Sequence, residues 1–127
     1  MHSTQFEIRE PGIDLFEPVL RLASVAIDEA SARAGRRLFK VAGVCGRTPQ
    51  AQREAVLARD AGYDACLLSL AALADAGDHD LLAHCRTVAE ILPLVTIDVV
   101  RAVCEAGRAG DIALYTGNRD CWQAPAA

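Results

Sequence analysis

The feature that most constrains this chain is a pair of short apolar runs, Leu38–Val44 (LFKVAGV) and Asp64–Ser69 (DACLLS), each flanked by helix-like segments. DACLLS is too short for a helix and does not alternate, which is the pattern of a strand covered on both faces. Ahead of the first run, Phe16, Val19, Leu20, Ala23, Ile27 and Ala30 recur at helical spacing, predicting a helix over Asp14–Arg33 that ends near Gly35. Between the runs, Thr48 is placed as an N-cap with Pro49 at the first helical position, and Gly62 suits a left-handed helix terminus. The stretch FKVAGVCGRTPQAQ therefore reads as a strand, a glycine-bracketed turn and the opening of a helix.

After DACLLS, the stripe Leu81/Leu82, Cys85, Val88/Ala89 and Leu92 predicts a further helix, capped by Asp78 and stopped by Pro93. A strand should follow. The chain offers only Pro93, Leu94 and Val95 before Thr96 caps another helix carrying Ile97, Val100, Val103 and Cys104 on one face, with Gly107 at its end. Either two helices pack in sequence or a segment is missing near 93–96. Asp111–Tyr115 (DIALY) then supplies a third strand leading into TGNRD. Strands separated by helices imply a parallel sheet with right-handed crossovers.

At 127 residues the chain is one domain's worth and about half of an ordinary (β/α)₈ barrel. With 52% hydrophobic and 24% charged residues it can bury a core. A net charge of −4 without a basic cluster argues against nucleic acid. No run approaches a membrane span, and MHSTQFEIREPG lacks a signal pattern, so a soluble, cytoplasmic chain is expected. The five cysteines (Cys45, Cys66, Cys85, Cys104 and Cys121) are odd in number and lack a C-x-x-C, which predicts reduced core thiols and no zinc site. His79 and His84 read as ordinary helix residues, five apart with no ligand partner, and no metal or cofactor is expected.

The run VAGVCGRTPQAQREAVLARDAGYDACLLSL, followed by HCRTVAEILP and DVVRAVCEAGRAGDIALYTGN, resembles the dihydrodipicolinate synthase and N-acetylneuraminate lyase family of class I aldolases. The likeness extends from about Phe6 to Asp120 and implies a (β/α)₈ fold and a small 2-oxo acid such as pyruvate as partner. It also implies Schiff-base chemistry on a strand-borne lysine, kept nucleophilic by desolvation. Placed on this chain, the resemblance predicts an incomplete TIM-barrel fragment of about three parallel strands alternating with about four helices, as a single domain over 1–127. Its exposed strand edges would favour self-association.

The family's lysine strand, and the tyrosine strand before it, would fall between the Asp78–Leu92 and Thr96–Ala106 helices, where the strand rhythm fails independently. The threonine pair that holds the pyruvate carboxylate in the family is absent. Leu70, Ala71, Ala72 and Leu73 stand where the family carries its relay tyrosine. The only lysine, Lys40, is near the start of its strand, opposite the face that carries barrel active sites, and reads as a structural residue reaching solvent. No catalytic residue is therefore assigned. Gly117, Asn118 and Asp120 match the family's substrate-side turn, although Arg119 stands where an acid is usual. Three expectations follow: a silent Schiff-base lyase relative, a small non-catalytic module holding an anion at Gly46, Arg47 and Thr48 before a helix, or an enzyme completed by a partner chain.

Overall fold

The computed structural model describes residues 8–95, all within one compact unit of the chain spanning 1–96. Helix α1 runs Phe16–Ala34 and buries Phe16, Leu20 and Ser24, one residue per turn along a single stripe. It ends at Gly35 in the left-handed region (φ 63°), where the Gly35 and Arg36 N–H groups return to the Ala32 and Ser31 carbonyls.

Strand β1 (Val41–Val44) pairs in parallel with β2 (Ala65–Leu68), Val41 opposite Ala65 and Val44 opposite Leu68. β1 is shorter than the expected Leu38–Val44 because side chains, rather than a sheet ladder, hold its approach. Ser31 Oγ accepts Leu38 N–H at 3.1 Å, Asp64 Oδ2 accepts Lys40 N–H at 2.9 Å, and Asp64 also pairs with Arg37. The Lys40 backbone donor, with burial opposing it and Arg37 assisting, holds the Asp64 carboxyl below its ordinary range.

Helix α2 (Thr48–Asp60) turns Ala51, Glu54, Ala55 and Ala58 inward. It stops where expected: Gly62 takes φ 82°, and Tyr63 N–H reaches the Ala58 carbonyl at 3.0 Å. A short 3₁₀ turn over Ala71–Leu73 leads to α3 (Asp78–Ala89), whose N-cap position belongs to Gly77 rather than Asp78. α3 ends at Ala89, short of the expected Leu92, yet Val88 and Leu92 both enter the core.

Just after α3 the chain does return to the sheet. Leu94 bridges Cys66 in parallel, the Pro93 carbonyl accepting Cys66 N–H and Val95 N–H donating to the Cys66 carbonyl, both at 2.8 Å. Pro93–Val95 is thus the point where the crossover from β2 returns to the sheet, with one residue of ladder. α3 itself carries the chain back across the sheet, which the triplet alone could not do. The helix expected over Thr96–Ala106 and the strand over Asp111–Tyr115 lie outside the described residues.

The expected partial (β/α) barrel, with about three strands and about four helices, is corrected. The described residues form a small α/β unit with three α-helices and two parallel strands in one open sheet. Paired residues of neighbouring strands share a face. Ala42, Val44, Cys66 and the half-buried Leu68 therefore lie together in the core, whereas Val41 (45% exposed) and Leu67 (43%) stand on the opposite face. Among the described residues the largest fully enclosed side chains are Val44, Val88 and Cys66. Burial pushes the Cys66 thiol up to about 11, as fits a cysteine acting as a small core hydrophobe.

Candidate functional site

In a parallel sheet the loops leaving the carboxyl ends of the strands are the natural place for ligands. Here that end is built by the β1–α2 turn, Cys45–Arg47, with α3 beside it. Gly46 has φ 92°, and a Cβ at that position would lie 2.4 Å from Gln50 Cδ. Glycine therefore makes both the turn and the close approach of Gln50 possible.

Arg47, not Thr48, occupies the N-cap of α2. Thr48 is the first helical residue and no side chain caps the helix. The Thr48 hydroxyl turns instead to α3, where its Oγ1 is 2.8 Å from His84 Nδ1. His84 is 3% exposed, its Nε2 has no hydrogen-bond partner among the described residues, and desolvation lowers its pKa. A buried donor without a partner is costlier than a buried lone pair. The favoured tautomer therefore carries the proton on Nδ1, which donates to Thr48 Oγ1 and leaves the Thr48 O–H free to point elsewhere.

Behind the turn sits Glu54, 6% exposed and the acceptor of four hydrogen bonds. Arg9 donates from Nε at 2.7 Å and Nη2 at 3.0 Å, Cys45 N–H donates at 3.0 Å, and Gln50 Nε2 at 3.0 Å. Arg9 also donates to the Gly43 carbonyl at 3.0 Å and lies over the Phe16 ring, 4.7 Å from its centroid. Burial alone would lower the Arg9 pKa, but the Glu54 carboxylate outweighs it and holds the guanidinium above its ordinary value. The Cys45 thiol is pushed up, first by burial and then by the Glu54 charge, with Arg9 opposing. Cys45 is thus a weak nucleophile despite its place in the turn.

Gly46, Arg47 and Thr48, predicted as an anion-binding group, are brought together at the start of α2, with Thr48 in a role other than capping. Gly117, Asn118 and Asp120 lie outside the described residues, as do Cys104 and Cys121. Lys40 is corrected from a solvent-reaching residue to a buried one, 7% exposed, with Nζ 2.7 Å from Asp28 Oδ1 and 2.9 Å from Ser24 Oγ. It enters β1 at the amino end of the sheet, away from the Gly46 turn.

Arg9, Gln50, Glu54 and His84 are the members that sequence reasoning missed. Glu54 carried a signal: it falls three after Ala51 and four before Ala58, inside a stripe of small apolar residues on one face of α2. Among the described residues no cluster of three or more His, Cys, Asp or Glu could hold a metal ion, and no helix is long and apolar enough to cross a membrane. No family model, curated protein or solved structure matches this chain.

Proposed function

We propose that this chain is a non-catalytic, cytoplasmic α/β module, akin in its sequence runs to pyruvate-dependent Schiff-base lyases, which holds a small anion at the amino end of α2. The observation that carries the reading is the uncapped helix start. Thr48 gives its hydroxyl oxygen to His84, and no described group accepts the N–H of Gly46, Arg47 or Thr48. A helix N-terminus presents free donors and a partial positive charge, which suit the carboxylate of a 2-oxo acid or a phosphate. The Arg47 side chain adds a cation, and the Thr48 O–H a further donor. The Glu54 charge behind the turn is neutralised by Arg9, so it does not oppose an incoming anion at close range.

Silence as a lyase is supported by Lys40. A Schiff-base lysine must offer a neutral amine to a ketone at the substrate-bearing end of the sheet. Lys40 is at the other end, with its ammonium engaged by Asp28 and Ser24.

Two measurements test these claims. Titrating pyruvate or phosphate while following amide resonances should move Gly46, Arg47 and Thr48 saturably; no movement there leaves the turn without a ligand role. Incubation with pyruvate and borohydride should leave the mass unchanged, and a reduced adduct on Lys40 would overturn the claim of silence.

A further inference from the structure

At the opposite end of the sheet from the Gly46 turn, a cavity of about 540 Å³ opens between the C-terminal half of α1 and the segment leading into β1. Asp28, Ser31, Arg36, Arg37, Lys40 and Gly62 contribute to its wall. In a chain of net charge −4 this wall gathers three cationic side chains, of which Lys40 is paired with Asp28 in the wall and Arg37 with Asp64 behind it, leaving the Arg36 charge unbalanced. Their donors are not used up. The Arg36 side chain has no hydrogen-bond or ion-pair partner among the described residues, Arg37 meets Asp64 through Nη2, and Lys40 Nζ contacts only Asp28 and Ser24, leaving one of its three N–H groups. Asp28 meets Lys40 through Oδ1, which leaves Oδ2 as an acceptor at the rim, where the side chain is 66% exposed.

We infer that this cavity binds a small phosphate monoester, its phosphate held by Arg36 and Arg37 and its hydroxyl-bearing end by Asp28. Paired guanidinium groups present planar forks of N–H donors that match phosphate oxygens in a way a lone ammonium does not. The volume lies within the range of small-metabolite sites and exceeds what inorganic phosphate fills. The lone carboxylate oxygen supplies the acceptor that a hydroxyl requires and that a bare anion would avoid. Rigid backing holds the wall: Ser31 Oγ accepts from Leu38 N–H at 3.1 Å and donates to the Ile27 carbonyl at 2.8 Å, fixing the residues that follow Arg37. This site is separate from the α2 terminus and stands or falls independently of it.

The test is an amide-resonance titration of the full chain at constant ionic strength with glucose 6-phosphate, inorganic phosphate and glucose in parallel. The ester should shift Gly35, Arg36, Arg37, Leu38 and Gly62 saturably, inorganic phosphate should bind more weakly at the same residues, and glucose should do nothing. Arg36→Ala, which removes no hydrogen bond or ion pair among the described residues, should weaken the ester by about tenfold or more. Asp28→Asn should abolish the ester's advantage over inorganic phosphate. Lack of saturable shifts up to the order of 10 mM, equal affinity for ester and phosphate, or unchanged affinity in Arg36→Ala would each overturn the inference. Shifts confined to Gly46–Thr48 would do the same, since they report the other site.

Discussion

Replacing Glu54 by glutamine tests whether the described unit is organised around one carboxylate. The change keeps size and shape but exchanges a charged acceptor of four hydrogen bonds for an amide with one acceptor oxygen and two hydrogens of its own. Whichever way the amide turns, its N–H₂ group faces two donors: Arg9 Nε and the Gln50 amide at one position, or Arg9 Nη2 and the Cys45 N–H at the other. Hydrogen bonds to charged groups contribute about 1.5–3 kcal/mol each, and breaking a buried ion pair costs about 3–5 kcal/mol. Arg9 keeps 22% of its side-chain surface in water and recovers part of its hydration, so the lower end applies. We expect Glu54→Gln to lose about 2–3 kcal/mol, and Glu54→Ala about 3 kcal/mol or more. For a chain of 127 residues this lowers Tm by roughly 5–10 °C. Urea unfolding followed by circular dichroism gives the free energy, and a cycle with Arg9→Met isolates the pair, whose coupling should exceed about 1 kcal/mol. A Glu54→Gln variant within about 0.5 kcal/mol of the parent protein would refute the role assigned to Glu54.

Further outcomes follow from other parts of the unit. His84 is held neutral by burial, its folded pKa below the ordinary 6.5. The unfolded chain therefore binds the proton first as pH falls. Stability should be full above about pH 6.5 and decline below it down to the folded pKa, a slope that His84→Phe flattens in denaturation curves measured between pH 5 and 8. Gly46→Ala adds a Cβ 2.4 Å from Gln50 Cδ at a positive φ, whereas Gly35→Ala meets no atom within 4 Å. The first should cost about 2 kcal/mol and the second about 1 kcal/mol in chemical denaturation, and the reverse order would contradict the turn geometry. Lys40→Met removes a buried charge whose partner Asp28 is solvated, so stability should change by less than about 1 kcal/mol, in contrast to a larger loss for Lys40→Ala.

What the sequence made legible was the part governed by local chemistry. Gly35 and Gly62 stop their helices where periodicity predicted, because a left-handed residue after a helix is read from one position and its neighbours. DACLLS lost only its ends on becoming β2. The N-cap of α2 was misread because Thr48 had two possible partners: the local N–H groups of its own helix, and His84, which lies 36 residues away and reaches it only after α3 packs on α2. The same distance hid Arg9, since nothing local couples it to a glutamate 45 residues on. Lys40 looked solvent-reaching because lysines usually are. Asp28 and Ser24, one turn apart on α1, are positioned to receive its ammonium only once that helix lies against β1. The Pro93–Val95 triplet looked too short for a strand, and only pairing with Cys66 shows it to be one residue of ladder.

Arg9 also bears on how the sheet ends. The Lys40 carbonyl accepts Ala65 N–H and the Val44 carbonyl accepts the N–H of Ser69, just beyond β2, so the alternate residues Val41 and Gly43 direct their backbone groups to the outer edge of β1, where no described strand pairs. An open edge beside exposed Val41 and Phe39 (64% exposed) is a template for pairing with another chain. Arg9 closes part of it: its Nη2 takes the Gly43 carbonyl, and its partner Glu54 takes the next outward donor, the Cys45 N–H. A charged side chain laid on an edge is a known deterrent to strand addition. Arg9→Met keeps much of the side-chain bulk over Phe16 but frees the Gly43 carbonyl. At equal folded fraction it should raise concentration-dependent self-association, seen in sedimentation velocity as a growing fraction of dimer and larger species. Arg9→Lys should restore most of the monomer, because the ammonium can reach the same carbonyl and carboxylate. If Arg9→Met sediments like the parent protein over the same concentration range while remaining folded, the guanidinium is a stabilising contact of Glu54 and has no part in guarding the edge.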